Sequence, residues 1–96
     1  MKIYISAPIS GVADHNRKLF SDTEEVLRAK GYDVVNPLSF GENGEWLDCM
    51  LRDLSHLRTC DAVLMLGGWC SSYGCRIEYM VALKLRLKVF YRLKDL

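Results

Sequence analysis

The sequence predicts an α/β fold of three layers, flavodoxin- or Rossmann-like, with a four-stranded parallel sheet in the order 2-1-3-4 and helices on both faces. Three observations predict it. Short β-type runs alternate with helical periodicities in the order β-α-β-α-β-α-β, the pattern that builds parallel sheets. The third β-type run, "DAVLMLGG", is almost unbroken in apolar character, as expected of a strand covered on both faces. The chain has 96 residues, half of them apolar, enough for one domain spanning residues 1–96 and one core.

Each element follows from local signals. "KIYISAP" reads as a strand stopped by Pro8 and Gly11. A helix follows from about Asn16, with Leu19, Phe20, Val26 and Leu27 on one face and Gly31 as its C-terminal cap. "YDVVNP" is a second strand ended by Pro37, and "LSFGENGE" is a loop with two glycines. A second helix spans about Glu45 to Arg58, with Trp46, Leu47, Met50, Leu51, Leu54 and Leu57 as its apolar stripe. After the third strand, a helix spans about Tyr73 to Leu85, with Ile77, Met80, Val81, Leu83 and Leu85 available for burial. "LKVFYRL" is the fourth strand. Right-handed crossovers leave few arrangements of these elements. In the 2-1-3-4 order the chain reverses direction between strands 1 and 3, and ligands sit at such a switch point. The loops "SAPISG" and "GGWCSSYG" meet there.

Composition narrows the function classes. The formal net charge is +1, with both signs mixed along the chain, so no nucleic-acid surface is expected. No apolar run is long enough for a signal peptide or a membrane span, and a cytoplasmic protein is expected. Cys49, Cys60, Cys70 and Cys75 form no C-x-x-C pair, and His15 and His56 lie at no zinc-ligand spacing to them. They read as reduced and mostly buried cysteines, with no metal site.

Four groups of residues carry candidate chemistry, each beside a plainer reading. Ser71, Ser72 and Gly74 open the third helix, where unpaired N–H groups suit a phosphate; a serine there is equally an N-cap. Glu78 stands at the edge of that helix's apolar stripe. It is either a solvated helix glutamate or a partly desolvated nucleophile or base. A carboxylate beside a sugar C1′ stabilises a developing oxocarbenium ion. Asp53 falls late in the second helix, where the dipole disfavours a carboxylate, and Asp61 reads as a turn cap before strand 3. In strand 1 and its loop, Tyr4 is a core aromatic or a hydroxyl aimed at a ligand, and Ser6, Ser10 and Gly11 offer polar contacts. Gly67 opens the loop after strand 3. Trp69 in that loop stacks on a base or packs in the core. Arg17 is the cation nearest the first loop in sequence, and its plainer reading is a solvated helix arginine.

With "YISAPISG", "NP", "DLSHLRTCDAVLML" and "SYGCRIEYMVAL" in this order and spacing, the chain resembles the nucleoside 2-deoxyribosyltransferase-like superfamily, in particular its short members from phage and bacterial genomes. The resemblance implies that Glu78 is the nucleophile. It implies that Asp53 holds the sugar or assists the base, that Asp61 is the second family aspartate, and that Tyr4 fills the strand-1 aromatic position. Transferases of the family carry an aspartate six residues before the nucleophile; Ser72 stands there in this chain. The related 2′-deoxynucleoside 5′-monophosphate N-glycosidases have a serine at that place, against phosphate, so Ser72 tilts the expectation toward a nucleotide. That branch also places a serine and an arginine in the first loop, where this chain has Pro8 and Ser10. Carboxylates and positioning supply this chemistry, so no metal or organic cofactor is expected; the resemblance implies a homodimer or higher homo-oligomer.

The expected function is therefore transfer or hydrolysis of an N-glycosidic bond in deoxyribonucleosides or their 5′-monophosphates. The alternative is a non-catalytic module that binds a nucleotide or an ADP-ribose-like ligand. A purely structural domain acting through partners is a third reading.

Overall fold

Strand β1 (Lys2–Ser6) is the hub of the molecule, pairing in parallel with β2 (Asp33–Val35) on one side and β3 (Ala62–Met65) on the other. In the computed structural model, which describes residues 1–41 and 44–96, β3 also pairs in parallel with β4 (Lys88–Phe90). The sheet order is β2-β1-β3-β4, as the sequence predicts. Three helices connect the strands: α1 (Arg17–Ala29), α2 (Trp46–Leu57) and α3 (Tyr73–Lys84). Glu42 and Asn43, inside the expected "LSFGENGE" loop, lie outside the described residues.

The period of two along β1 splits the core. Ile3 and Ile5 join Phe20 and Leu27 of α1, with Val34, Ala62 and Leu64, in one cluster. Tyr4 joins Leu57 of α2 and Cys75 and Ala82 of α3, with Val35, Val63 and Met65, in the other. Helices thus cover both faces, and every residue of β3 is buried. Gly31 ends α1 at φ +91°, where it costs no side-chain clash, and Tyr32 N–H closes on Leu27 O at 3.2 Å. Asp61 caps the sheet's edge of entry, its Oδ2 accepting the Lys2 backbone N–H at 2.8 Å.

The helices differ from the expected stripes in which face is buried. On α1 the buried residues are Phe20, Thr23 and Leu27, and Leu19 and Val26 flank them at the surface. On α2 they are Met50, Asp53 and Leu57, while Trp46, Leu47 and Leu51 are exposed. On α3 they are Cys75, Glu78 and Ala82, while Met80, Leu83 and Leu85 are exposed and Ile77 and Val81 are half-buried. Small residues win the inward face of α3 because they let the helix approach the sheet. That approach brings a glutamate against β1. β4 is shorter than expected, ending at Phe90 before a single turn over Leu93–Asp95. The four cysteines are free thiols. Cys60 and Cys75 are buried, Cys49 is half-buried and Cys70 is exposed, so burial is less general than expected.

Candidate active site

The loops after β1 and β3 touch. Gly68 adopts φ +88°, and a Cβ there would sit 3.2 Å from Pro8 Cγ. Beside this contact, the carboxyl ends of the strands open into a cavity of about 700 Å³, within the range of small-molecule sites. Its walls come from the β1 loop (Ala7, Ile9, Ser10, His15), the turn after β2 (Pro37, Leu38), α2 (Met50, Arg52, Asp53) and the start of α3 (Ser71, Ser72, Gly74, Glu78).

Glu78 is buried in that wall. It retains only 5% of its exposure. Ser6 Oγ donates to Oε1 at 2.8 Å, and the Tyr4 hydroxyl donates to Oε2. Burial pushes the Glu78 carboxyl up from 4.5 to about 7; the Tyr4 and Ser6 hydrogen bonds oppose that shift, and the Asp53 charge adds to it. Burial, followed by the Glu78 and Asp53 charges, also holds the Tyr4 phenol well above its ordinary value. Tyr4 therefore keeps its proton and remains a donor.

Asp53 is buried as well, with burial raising its pKa and Arg52 working against that rise. Arg52 Nε and Nη2 both donate to Asp53 Oδ1, at 3.2 and 3.1 Å. Ser72 caps α3, its Oγ accepting the Cys75 backbone N–H at 3.3 Å, so the plain capping reading of this serine holds. The cap also lies in the cavity wall. Burial pushes the Cys75 thiol up, against hydrogen bonds with Ser6 and Ser72.

The expected residues divide clearly. Glu78, Asp53, Ser10, Ser71, Ser72 and Gly74 line one cavity, and Tyr4 and Ser6 stand behind Glu78 as its hydrogen-bond donors. Four other candidates lie elsewhere. Trp69 takes the packing alternative, its ring on Tyr79 with centroids 4.7 Å apart and near Tyr91 at 6.1 Å. Gly67 and Gly11 lie off the cavity, and Gly11 serves the turn after β1 at φ +79°. Arg17 also lies off the cavity wall and pairs with Asp14 at 3.2 Å. The cavity cation that sequence reasoning missed is Arg52, whose only sequence signal was its place next to Asp53.

The family described as "Domain of unknown function (DUF4406)" matches residues 1–91. The chain belongs to the DUF4406 family. No curated protein matches this DUF4406 chain. Solved structures do. A 2-deoxyribosyltransferase from Bacillus psychrosaccharolyticus aligns with a TM-score of 0.73 at 23% identity, over 93% of this chain and 69% of its own. A 2-deoxyribosyltransferase from Leishmania mexicana aligns with a TM-score of 0.72 at 17% identity, over 92% of this chain and 61% of its own. A CMP N-glycosidase from Clostridium botulinum aligns with a TM-score of 0.68 at 21% identity, over 93% of this chain and 66% of its own. The DUF4406 chain thus has the fold expected from its motifs, and it spans about two thirds of the length of these proteins. Among the described residues, no helix is long and apolar enough to cross a membrane.

Proposed function

We propose that the protein breaks or transfers the N-glycosidic bond of deoxyribonucleosides or their 5′-monophosphates, with Glu78 as nucleophile. The observation that carries this reading is a buried carboxylate with a hydroxyl donor on each oxygen, in the wall of a nucleoside-sized cavity. A surface glutamate needs no such cradle, and a core glutamate would not border open space. The fold is one that 2-deoxyribosyltransferases and a CMP N-glycosidase also use.

In this reading the ionised Glu78 oxygen bonds to C1′ as the C1′–N bond breaks, and the bonding pair leaves with the base. The base takes a proton from Asp53 or from water. A second base or a water molecule then attacks C1′, the ester bond to Glu78 breaks, and the carboxylate is restored. Two displacements at one carbon retain its configuration. Tyr4 and Ser6 fix the carboxylate's orientation and temper its basicity, which is positioning fixed before the substrate arrives. Ser71, Ser72, Gly74 and the amino end of α3 take the 5′-phosphate or 5′-hydroxyl. Ser10 contributes from the opposite loop.

The reading includes a homo-oligomer. Leu47, Leu51, Tyr73 and Met80 leave apolar surface on the outer faces of α2 and α3, which pack against each other beside the cavity.

The deciding experiment incubates the protein with a panel of deoxynucleosides and 5′-monophosphates and follows free base by chromatography. Base release that disappears in Glu78→Gln is expected. Release at the same rate in that variant removes Glu78 from catalysis. Tight nucleotide binding without release identifies a binding module instead.

A further inference from the structure

Arg52 and Asp53 are neighbours on α2, and successive residues on a helix point away from each other. Their ion pair is therefore not a default of helix geometry. Arg52 Nε and Nη2 both donate to Asp53 Oδ1, at 3.2 and 3.1 Å, and a second element also holds the guanidinium. Arg52 Nη1 donates to Phe40 O at 3.3 Å, in the turn after β2, and the guanidinium carbon lies 5.5 Å from the centre of the Phe40 ring. That ring stacks on His56, one turn further along α2, with centroids 4.0 Å apart and planes 15° apart. Neither Phe40 nor His56 lines the cavity, so Arg52 is anchored from outside it. The Asp53 charge reaches Tyr4 on β1 and Glu78 on α3. Burial raises the Asp53 pKa, and Arg52 and His56 oppose that rise.

We propose that Arg52 is a positioning residue that holds Asp53 as the proton donor to the leaving base, with Phe40 as its anchor. This rests on the N-glycosidic reading above and decides between the two proton sources that reading leaves open. An oxygen that accepts two N–H bonds is a poor place for a proton, so the acid form of Asp53 carries its proton on Oδ2. As the C1′–N bond breaks, the bonding pair leaves with the base, the Asp53 proton joins the base, and the base departs neutral. The Asp53 carboxylate left behind is buried and is matched by Arg52. When water attacks C1′ and releases Glu78, the surplus proton of that water returns to Asp53. In transfer, the incoming base gives up the proton instead. An arginine that only neutralised a buried carboxylate would support the fold and leave the proton source untouched.

The test compares two substrates that differ in their need for that proton. For a purine the pair is deoxyguanosine and 7-methyldeoxyguanosine, whose base leaves neutral unaided. For a pyrimidine it is deoxyuridine and 5-fluorodeoxyuridine, whose base is the more stable anion. Arg52→Leu should lower kcat/KM for the first of each pair by ~10-fold or more and for the second by ~3-fold or less, since general acid catalysis matters only where the leaving group needs a proton. Phe40→Leu removes the anchoring ring without altering a cavity residue, and it should move the ratio the same way by a smaller factor. It stands in for the arginine variant if urea denaturation shows that variant unfolded. Arg52→Lys, which keeps charge without the fork, should restore the wild-type ratio only in part. Equal loss on both substrates, or loss on neither, overturns the proposal, because a structural arginine and a water donor both leave the ratio alone. Wild type that releases base from neither pair overturns the N-glycosidic reading and this proposal with it; release at a constant ratio overturns the role of Arg52 alone.

Discussion

Ser6 Oγ donates a 2.8 Å hydrogen bond to Glu78 Oε1 across 72 positions of sequence. The bond joins the end of the central strand to the buried face of the last helix. With the Tyr4 hydroxyl on the other oxygen, it orients the carboxylate and opposes the rise in proton affinity that burial imposes.

The first prediction concerns pH. Burial, opposed by the hydroxyls of Tyr4 and Ser6, places the Glu78 carboxyl at about 7 in the folded protein against 4.5 when exposed. A nucleophile must be ionised, so kcat/KM should rise with pH through about 7. Stability runs the other way. Between these two values the folded state holds a proton that the unfolded state has released, so stability falls as pH rises through that window. The loss above the folded pKa is on the order of 3 kcal/mol at most. Glu78→Gln should be inactive, more stable than wild type above neutrality, and free of this slope, as urea denaturation at several pH values would show.

Tyr4→Phe removes a hydrogen bond that holds the Glu78 pKa down against burial. The Glu78 pKa should rise, and the acid limb of the pH–rate profile should move to higher pH. At neutral pH, kcat/KM should fall by ~10-fold or more. An acid limb that stays in place would show that Tyr4 does not tune Glu78.

The capping role of Ser72 and its proposed substrate role separate by substitution. Ser72→Ala loses the cap on Cys75 N–H and should cost about 1 kcal/mol of stability. Ser72→Asp keeps a capping oxygen and adds charge facing the proposed phosphate. Its KM should rise ~10-fold or more for 5′-monophosphates and change little for nucleosides. Steady-state kinetics on a matched nucleoside and nucleotide pair checks this.

Gly68→Ala should destabilise the protein by about 1–3 kcal/mol. It forces a side chain into φ +88° and sets its Cβ 3.2 Å from the Pro8 ring. Chemical denaturation measures the loss. Gly67→Ala, with nothing within 4 Å of its Cβ, should be nearly neutral.

Met80→Glu places a charge on the exposed apolar face of α3. If that face joins two copies, light scattering should show a smaller particle for the variant than for wild type. Equal masses would exclude this face from the assembly.

The element order, the parallel sheet and its 2-1-3-4 arrangement were legible in the residues, because they rest on strong local signals. The unbroken apolar run of β3, the alternation along β1 and the punctuation at Pro8, Gly31 and Pro37 each act over a few residues. Glu78, Asp53, Tyr4 and Ser72 could be singled out from motif order. Their placement in or behind one cavity required coordinates, since three separate elements supply them. Tertiary packing alone decided the inward faces of α2 and α3. Periodicity favoured the larger apolar side chains, yet Cys75 and Ala82 face the sheet, because only small residues let α3 approach closely enough for Glu78 to meet Tyr4 and Ser6. The same packing turned Trp69 onto Tyr79 and folded Arg52 back against Asp53 and Phe40. A sequence records which groups a chain owns and the local shapes they prefer. The burial, neighbours and proton affinity of each group depend on contacts between segments far apart in the chain, which exist only after folding.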